Sequence, residues 1–299
     1  MYLEKRLIAM LDVLGLSRRL NTRADLEATS RKYSSLIHMA KTEIFSGAAV
    51  VGSEGPDISN FEVGEFVFDN LVLVSHPLTT HTACQFTLAL TLLMERFALA
   101  DMPLRGAIGI GDYCLDPDSK VFLSNIFKAL SAEEARQNWA GCVVLEDAAQ
   151  FLVNEVSGPY AGLRKSQSDL LLKMEVPAKV LMGEEPMGKR WCLNWMHMLS
   201  PTERRSVLDF LTGDPSKRAG VEAYLAHLTG LPPTHMPEQP LAPEFLPAVA
   251  FKTLCTRANM RFQFVDEAGE AVKPGVDNFQ ISVIDYSVPE AHDVPGAAW

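Results

Sequence analysis

Short unbroken apolar runs alternate with longer segments of helical spacing through the first two thirds of this 299-residue chain. Leu7–Val13 is continuous and apolar except for Asp12, the pattern of a strand buried on both faces. Leu14-Gly15-Leu16-Ser17 follows, and a short helix is expected from Ser17, with Arg18 and Arg19 solvated. Ala24–Ser46 places Leu26, Tyr33, Ile37, Ala40 and Ile44 at helical spacing, and Gly47–Asn60 has the composition of a loop. Phe61–Ser75 predicts a hairpin of two apolar strands. Asp69-Asn70 is its expected two-residue turn, because Asp and Asn tolerate positive φ better than most residues. Thr79–Ala100 carries Phe86, Leu90, Leu93 and Phe97 along one helical stripe. Leu104–Gly111, LRGAIGIG, predicts a strand whose glycines allow close backbone approach. The order β-α-ββ-α-β predicts an α+β fold of the ferredoxin-like split βαβ kind, with helices on one face of an antiparallel sheet.

Further on, Asn125–Gln137 and Glu146–Val156 have helical spacing around a short strand, Cys142–Leu145. Leu170–Val176 and Arg190–Trp195 predict a second hairpin that extends the sheet. The composition changes near residue 200. Ser200-Pro201-Thr202-Glu203 combines an N-cap serine, a proline at the first helical position and a glutamate at the third. Helices are expected over Pro201–Leu211 and Lys217–Thr229, an extended proline-dense connector over Leu231–Pro247, a partly helical Phe245–Phe264 and a strand over Phe279–Tyr286. The expected division is a core over residues 1–198 and a mainly helical extension over residues 199–299.

Composition narrows the function class. A hydrophobic content of 47% with 21% charged residues suits a full-sized core. The formal net charge of -10 argues against a nucleic-acid polymer as ligand, but leaves a small anion such as a nucleotide open. Five scattered cysteines, without a C-x-x-C pair, fit a reducing cytoplasm and argue against a structural zinc site. The chain enters a strand-like run without signal-peptide architecture, and Thr82–Ala100 is interrupted by Gln85, Glu95 and Arg96. A cytoplasmic protein without a membrane span is expected.

The candidate chemistry centres on Asp12 and Asp69. Two carboxylates at the ends of adjacent buried strands are costly to hold together unless a cation lies between them, although each could simply cap its strand. Leu14, Gly15 and Leu16 could turn successive N–H groups toward phosphate, or could form an ordinary strand-to-helix turn. Trp139, Trp191 and Trp195 are expected in the core or an interface, His76 and His81 on the surface, and Glu133-Glu134 on a solvated helix face. No P-loop, G-x-S-x-G or G-x-G-x-x-G is present.

Asp12 in LDVLG, Asp69 at the hairpin turn and Arg105-Gly106 in LRGAIGIG together resemble the three signature segments of class III nucleotidyl cyclases. Within that superfamily the pattern is most similar to the bacterial pyrimidine nucleotide cyclases of Pycsar antiphage defence. Trp139-Ala140-Gly141, Val176-Pro177-Ala178-Lys179 and Leu193-Asn194-Trp195 fit the same pattern. The resemblance implies two Mg²⁺ or Mn²⁺ ions per site, bridged by Asp12 and Asp69 with the Val13 carbonyl as a further ligand. It implies phosphate contacts from Arg105 and from Lys179, for which Lys189 is the competitor. Arg105 could equally form a structural salt bridge, and either lysine a solvated turn cation. Glu65 stands four residues before Asp69, where related cyclases read the base, and could also be an outward strand residue. The N-x-x-x-R pair of purine cyclases is replaced by Lys128 and Ala132. The activity implied is conversion of UTP to 3′,5′-cyclic UMP and pyrophosphate by a homodimer, whose product activates a separate effector. CTP as substrate, a degenerate nucleotide-binding module and a palm-type nucleotidyltransferase are the alternatives.

Overall fold

The computed structural model describes residues 3–16, 19–45, 59–116, 121–155, 171–179, 187–196, 199–211, 214–229, 260–265 and 280–286. Strand β1 (Leu3–Val13) is central, between β3 (Asn70–Val74) and β4 (Leu104–Asp116). With β2 (Val63–Val67), β6 (Cys142–Val144), β7 (Leu171–Glu175) and β8 (Lys189–Leu193), the sheet runs β2-β3-β1-β4-β6-β8-β7. A short strand absent from the sequence prediction, β5 (Val121–Ser124), pairs with β4. All neighbours are antiparallel except β4 and β6, which run parallel. The architecture is α+β, as expected.

Alternation along β1 divides the core in two. Leu7, Ala9 and Leu11 face one side, with Leu71 and Leu73 of β3 and the stripe Phe86, Leu90, Leu93 and Phe97 of α2 (Thr80–Leu99). Leu36 of α1 (Arg23–Met39) and Ala148, Ala149 and Leu152 of α4 (Glu146–Glu155) join that cluster. Ile8 faces the other side with Val72, Val74 and Ala107, and α3 (Phe127–Arg136) lies there through Leu130. The expectation of helices on one face is therefore corrected: α3 covers the second face. The glycines of β4 give the reason. A Cβ on Gly109 would meet Ile126, Leu130 and Leu145, and one on Gly111 would meet Ile126, so only a glycine strand lets α3 approach so closely.

Local signals set most boundaries. Thr22 caps α1 by accepting from the Asp25 N–H, and a π-helical turn, Ala40–Phe45, continues the segment. Thr79 and Thr82 form a reciprocal capping box on α2. Ser200 and Glu203 do the same for α5 (Pro201–Phe210), with proline in its first turn as the sequence predicts. Helix α6 (Pro215–Thr229) follows, and Val207, Leu211, Val221, Tyr224 and Leu228 from the two helices join the main cluster.

The position of the hairpin turn also needs correction. The hairpin turn is Phe68-Asp69, one residue earlier than predicted, with Val67 opposite Asn70. Phe68 takes the positive φ, +58°, and its ring is 89% exposed. The register is set by burial of Leu71 and Leu73 against Phe66 and Gly64, and this outweighs the turn preference of Asn70. Met260–Val265, at the end of the segment expected to be partly helical, is strand β9, and residues 245–259 lie outside the described residues. Strand β9 pairs antiparallel with β10 (Gln280–Tyr286) in a separate two-stranded sheet, and its residues Met-Arg-Phe-Gln-Phe-Val alternate with period two. The predicted helix start at Ser17-Arg18, most of the Gly47–Asn60 loop and the Leu231–Pro247 connector lie outside the described residues. No helix among the described residues is long and apolar enough to cross a membrane.

Candidate active site

A cleft of about 380 Å³ opens at the β2–β3 turn, where β1 ends and β4 begins. Asp12, Val13, Leu14, Gly15, Leu16, Asp69 and Arg105 line one part of it. Asn138, Lys179, Asp214, Ser216 and Lys217 line the rest. The sheet brings the first group together: Asp12 is in register with Asn70 on one side and Arg105 on the other. The Val13 N–H donates to the Asp69 carbonyl at 2.9 Å, which ties the hairpin turn to the end of β1. Tyr33 of α1 donates its hydroxyl to the Phe68 carbonyl at 2.8 Å and holds the same turn from outside.

Arg105 is 8% exposed, and both of its terminal nitrogens are engaged within the chain. Its Nη2 lies 3.0 Å from Asp12 Oδ2 and also pairs with Glu134 Oε1, while Nη1 donates to the Gln137 carbonyl at 3.1 Å. Gln137, fully buried, locks this arrangement: its Nε2 donates to the Gly106 carbonyl at 2.7 Å and its Oε1 accepts from Trp139 Nε1 at 2.9 Å. Gly106 is required by proximity, since a Cβ there would run into Met10 O and Leu11 of β1. That close approach sets Arg105 beside Asp12. Of the two readings left open by the sequence, Arg105 occupies the salt-bridge geometry. Burial pushes the Asp12 carboxyl up from its ordinary range; Arg105 opposes the shift, and Glu134 and Asp69 add to it.

Glu134 corrects a further expectation. It is not a solvated helix residue, because its side chain is only 17% exposed and ion-paired across the fold with Arg105. Its neighbour Glu133 lies 4.0 Å from Arg190. Arg19 is likewise not solvated, and forms a two-pronged pair with Asp101 at 2.6 and 2.9 Å.

Lys179 reaches the cleft by way of α3. Its N–H donates to the Arg136 carbonyl at 2.8 Å and its Nζ to the Ala135 carbonyl at 2.6 Å, and Ala178 bridges to Gln137. Burial lowers its pKa, Arg105 and Lys217 lower it further, and Glu134 and Asp12 work against them. The competitor Lys189 is exposed at the start of β8, outside the cleft lining. Gly15 has φ +75° with open space around its Cβ position, so glycine is needed here for its left-handed backbone rather than for clearance. The Leu14 N–H is taken by the Pro103 carbonyl at 2.9 Å, and the Leu16 N–H points to the Val13 carbonyl at 3.4 Å. Glu65 is exposed on β2 and does not line the cleft. Trp139 and Trp195 are core residues, as expected; Lys173 sits over the ring of Trp191.

Sequence reasoning missed Glu134, Gln137, Asn138, Asp214, Ser216 and Lys217. Only the last three carried a local signal: Asp214-Pro215-Ser216-Lys217 reads as an N-cap aspartate followed by proline at a helix start.

The donor set of the cleft suits a hard divalent cation, since Asp12 and Asp69 supply carboxylate oxygens at one mouth. No cluster of three or more His, Cys, Asp or Glu able to hold a metal occurs among the described residues. No family model matches the chain, and no curated protein matches it. Among solved structures it is similar to the adenylyl cyclase CyaB from P. aeruginosa, at 9% identity and a TM-score of 0.40 over 64% of this chain and 94% of that one. It is similar also to the catalytic core of a rhodopsin-guanylyl cyclase with converted specificity in complex with ATPαS (10% identity, TM-score 0.39, 64% and 96% covered). The guanylyl cyclase Cya2 overlaps at 7% identity and a TM-score of 0.38, with 64% and 92% covered.

Proposed function

We propose that the chain is a pyrimidine nucleotide cyclase that converts UTP to 3′,5′-cyclic UMP and pyrophosphate. The observation that carries the proposal is one cleft holding two carboxylates, Asp12 and Asp69, on the β1–turn side and the cations Lys179 and Lys217 on the other. A triphosphate needs both: cations for its oxygens, and acids that gather divalent metal where charge builds in the reaction. Asp12, Asp69 and the Val13 carbonyl would hold two Mg²⁺ or Mn²⁺ ions. When bound, such a pair makes a ribose 3′-hydroxyl more acidic and offsets charge on the departing pyrophosphate. Arg105 orients Asp12 and keeps an uncompensated negative charge from accumulating while the cleft is empty of cations. Lys179, fixed by two α3 carbonyls, offers its remaining ammonium protons to the phosphates.

The pyrimidine assignment rests on the sequence pattern that runs from Asp12 to Trp195. Exposed Phe68 and Val67, next to Asp69, support a second copy of the chain docking over this edge, so the working form is a homodimer. The proposed setting is the cytoplasm, where the cyclic product would activate a separate effector in antiphage defence. The test is incubation of the full chain with each of the four nucleoside triphosphates and Mn²⁺, with chromatographic identification of products. Cyclic UMP and pyrophosphate from UTP are expected, and Asp69→Ala should abolish them while preserving the melting transition. Cyclic CMP alone would move the substrate to CTP. Linear or 2′-linked products would identify a nucleotidyltransferase, and binding without turnover a degenerate module.

A further inference from the structure

We infer that Lys217, carried by the region after residue 200, is a polyphosphate-binding residue of the cleft and that α6 exists partly to deliver it. The inference rests on the nucleotide reading of the cleft. Among the described residues, three carboxylates and three cationic side chains line it. One of the cations, Arg105, is already committed to Asp12 and Glu134. Lys179 is held by the Ala135 carbonyl and Lys217 by Asp214, one acceptor each, so both ammonium groups keep protons for an incoming anion.

The placement of Lys217 is built rather than incidental. Lys217, Gly220, Val221 and Tyr224 follow one another at helical spacing on a single face of α6. Tyr224, fully buried, packs edge-on against Trp139 at 5.4 Å, donates to Asn194 Oδ1 at 2.7 Å and accepts from the Met196 N–H at 3.1 Å. Gly220 lets the helix sit on the chain beneath it, since a Cβ there would meet Trp139 Cβ and the Asn138 carbonyl. These contacts anchor the face one turn beyond Lys217 and leave its side chain over the cleft. Asp214 then aims the ammonium group: Lys217 Nζ lies 2.9 Å from Asp214 Oδ2, and Ser216 Oγ lies 2.9 Å from Asp214 Oδ1. An ammonium held by one carboxylate keeps further protons for phosphate oxygens. Trp139 is the same residue whose indole N–H holds Gln137, and through it Arg105, so α6 is braced on the frame that orients the acids.

The test is calorimetric titration of the full chain with inorganic tripolyphosphate in the presence of Mg²⁺. Lys217→Met should weaken tripolyphosphate binding by about tenfold or more, the loss expected for a charge-assisted contact. Lys217→Arg should retain most of the affinity, and Lys189→Met, outside the cleft, should bind like the parent. Binding within twofold of the parent in Lys217→Met, or an equal loss in Lys189→Met, overturns the inference. Should Lys217→Met fail to fold, Lys217→Gln replaces it under the same criteria. Failure here is distinguishable from failure of the cyclase reading. Lys217-dependent binding without any cyclic product supports this site and defeats the function, whereas cyclic product with Lys217-independent binding does the reverse.

Discussion

Replacing Glu134 with glutamine probes the charge network that holds Asp12. The substitution keeps the shape and an acceptor oxygen of Glu134 but removes its charge from a pair whose side chains are only 17% and 10% exposed. A close pair in such a setting attracts with a gross energy of about 4 kcal/mol, and relief of the desolvation of both groups offsets part of this. Arg105 also keeps Asp12 and the Gln137 carbonyl. The expected net loss is therefore about 2 kcal/mol, the size of a hydrogen bond to a charged group. For a protein of this size that corresponds to a fall in Tm of about 3 °C. The assay is thermal denaturation of the metal-free chain, in a double-mutant cycle with Asp12→Asn. Because both acids share Nη2 of Arg105, the two effects should depart from additivity by about 0.5–3 kcal/mol. A Tm for Glu134→Gln within about 1 °C of the parent, with additive effects in the cycle, would refute the network and restore Glu134 to an ordinary helix surface.

Two further outcomes follow. Gly106→Ala should cost about 1–3 kcal/mol in denaturant unfolding and lower turnover, because a Cβ there forces β4 away from Met10 and Leu11 and moves Arg105 relative to Asp12; unchanged stability would mean the strands are not so closely apposed. The hydroxyls of Tyr33 and Tyr113 are each pushed up to about 12, mainly by burial, with Asp69 and Asp12 adding to the shift at Tyr33 and Glu62 at Tyr113. A group whose folded pKa is raised stabilises the fold fully below its unfolded value, about 10 for tyrosine, and that stability is lost as pH rises through about 12. Melting temperature should fall across that window, less steeply in Tyr33→Phe, and Asp69→Asn should bring the Tyr33 titration down in an absorbance experiment.

Asp12 was legible because a carboxylate inside an otherwise apolar run has to be explained, and the run itself predicted a strand buried on both faces. The capping box at Ser200 and the helical stripe of α2 were legible for the same reason: the signal lies within four residues of its effect. The turn came out one residue off because local preference favoured Asp69-Asn70, whereas the burial of Leu71 and Leu73 selected Phe68-Asp69. Glu134 was misread because its partner, Arg105, lies on a strand 29 positions earlier in the chain, and nothing in AEEAR announces a contact across the sheet. The glycines of β4 predicted close approach correctly, but only the fold shows that β1 meets Gly106, that α3 and its N-cap Ile126 meet Gly109, and that Asn125 and Ile126 meet Gly111. The same limit hid Lys217, whose place depends on Tyr224 and Trp139 meeting 85 positions apart.

The central claim is that Asp12 and Asp69 act together on a shared pair of divalent cations beside a bound nucleotide. Mn²⁺ binding to the full chain, followed by electron paramagnetic resonance in the presence of a non-hydrolysable UTP analogue, tests it most directly. The account predicts two nucleotide-dependent Mn²⁺ ions per site in the parent, and loss of that binding in both Asp12→Asn and Asp69→Asn with the fold preserved. The same Mn²⁺ stoichiometry and affinity in either variant would contradict it.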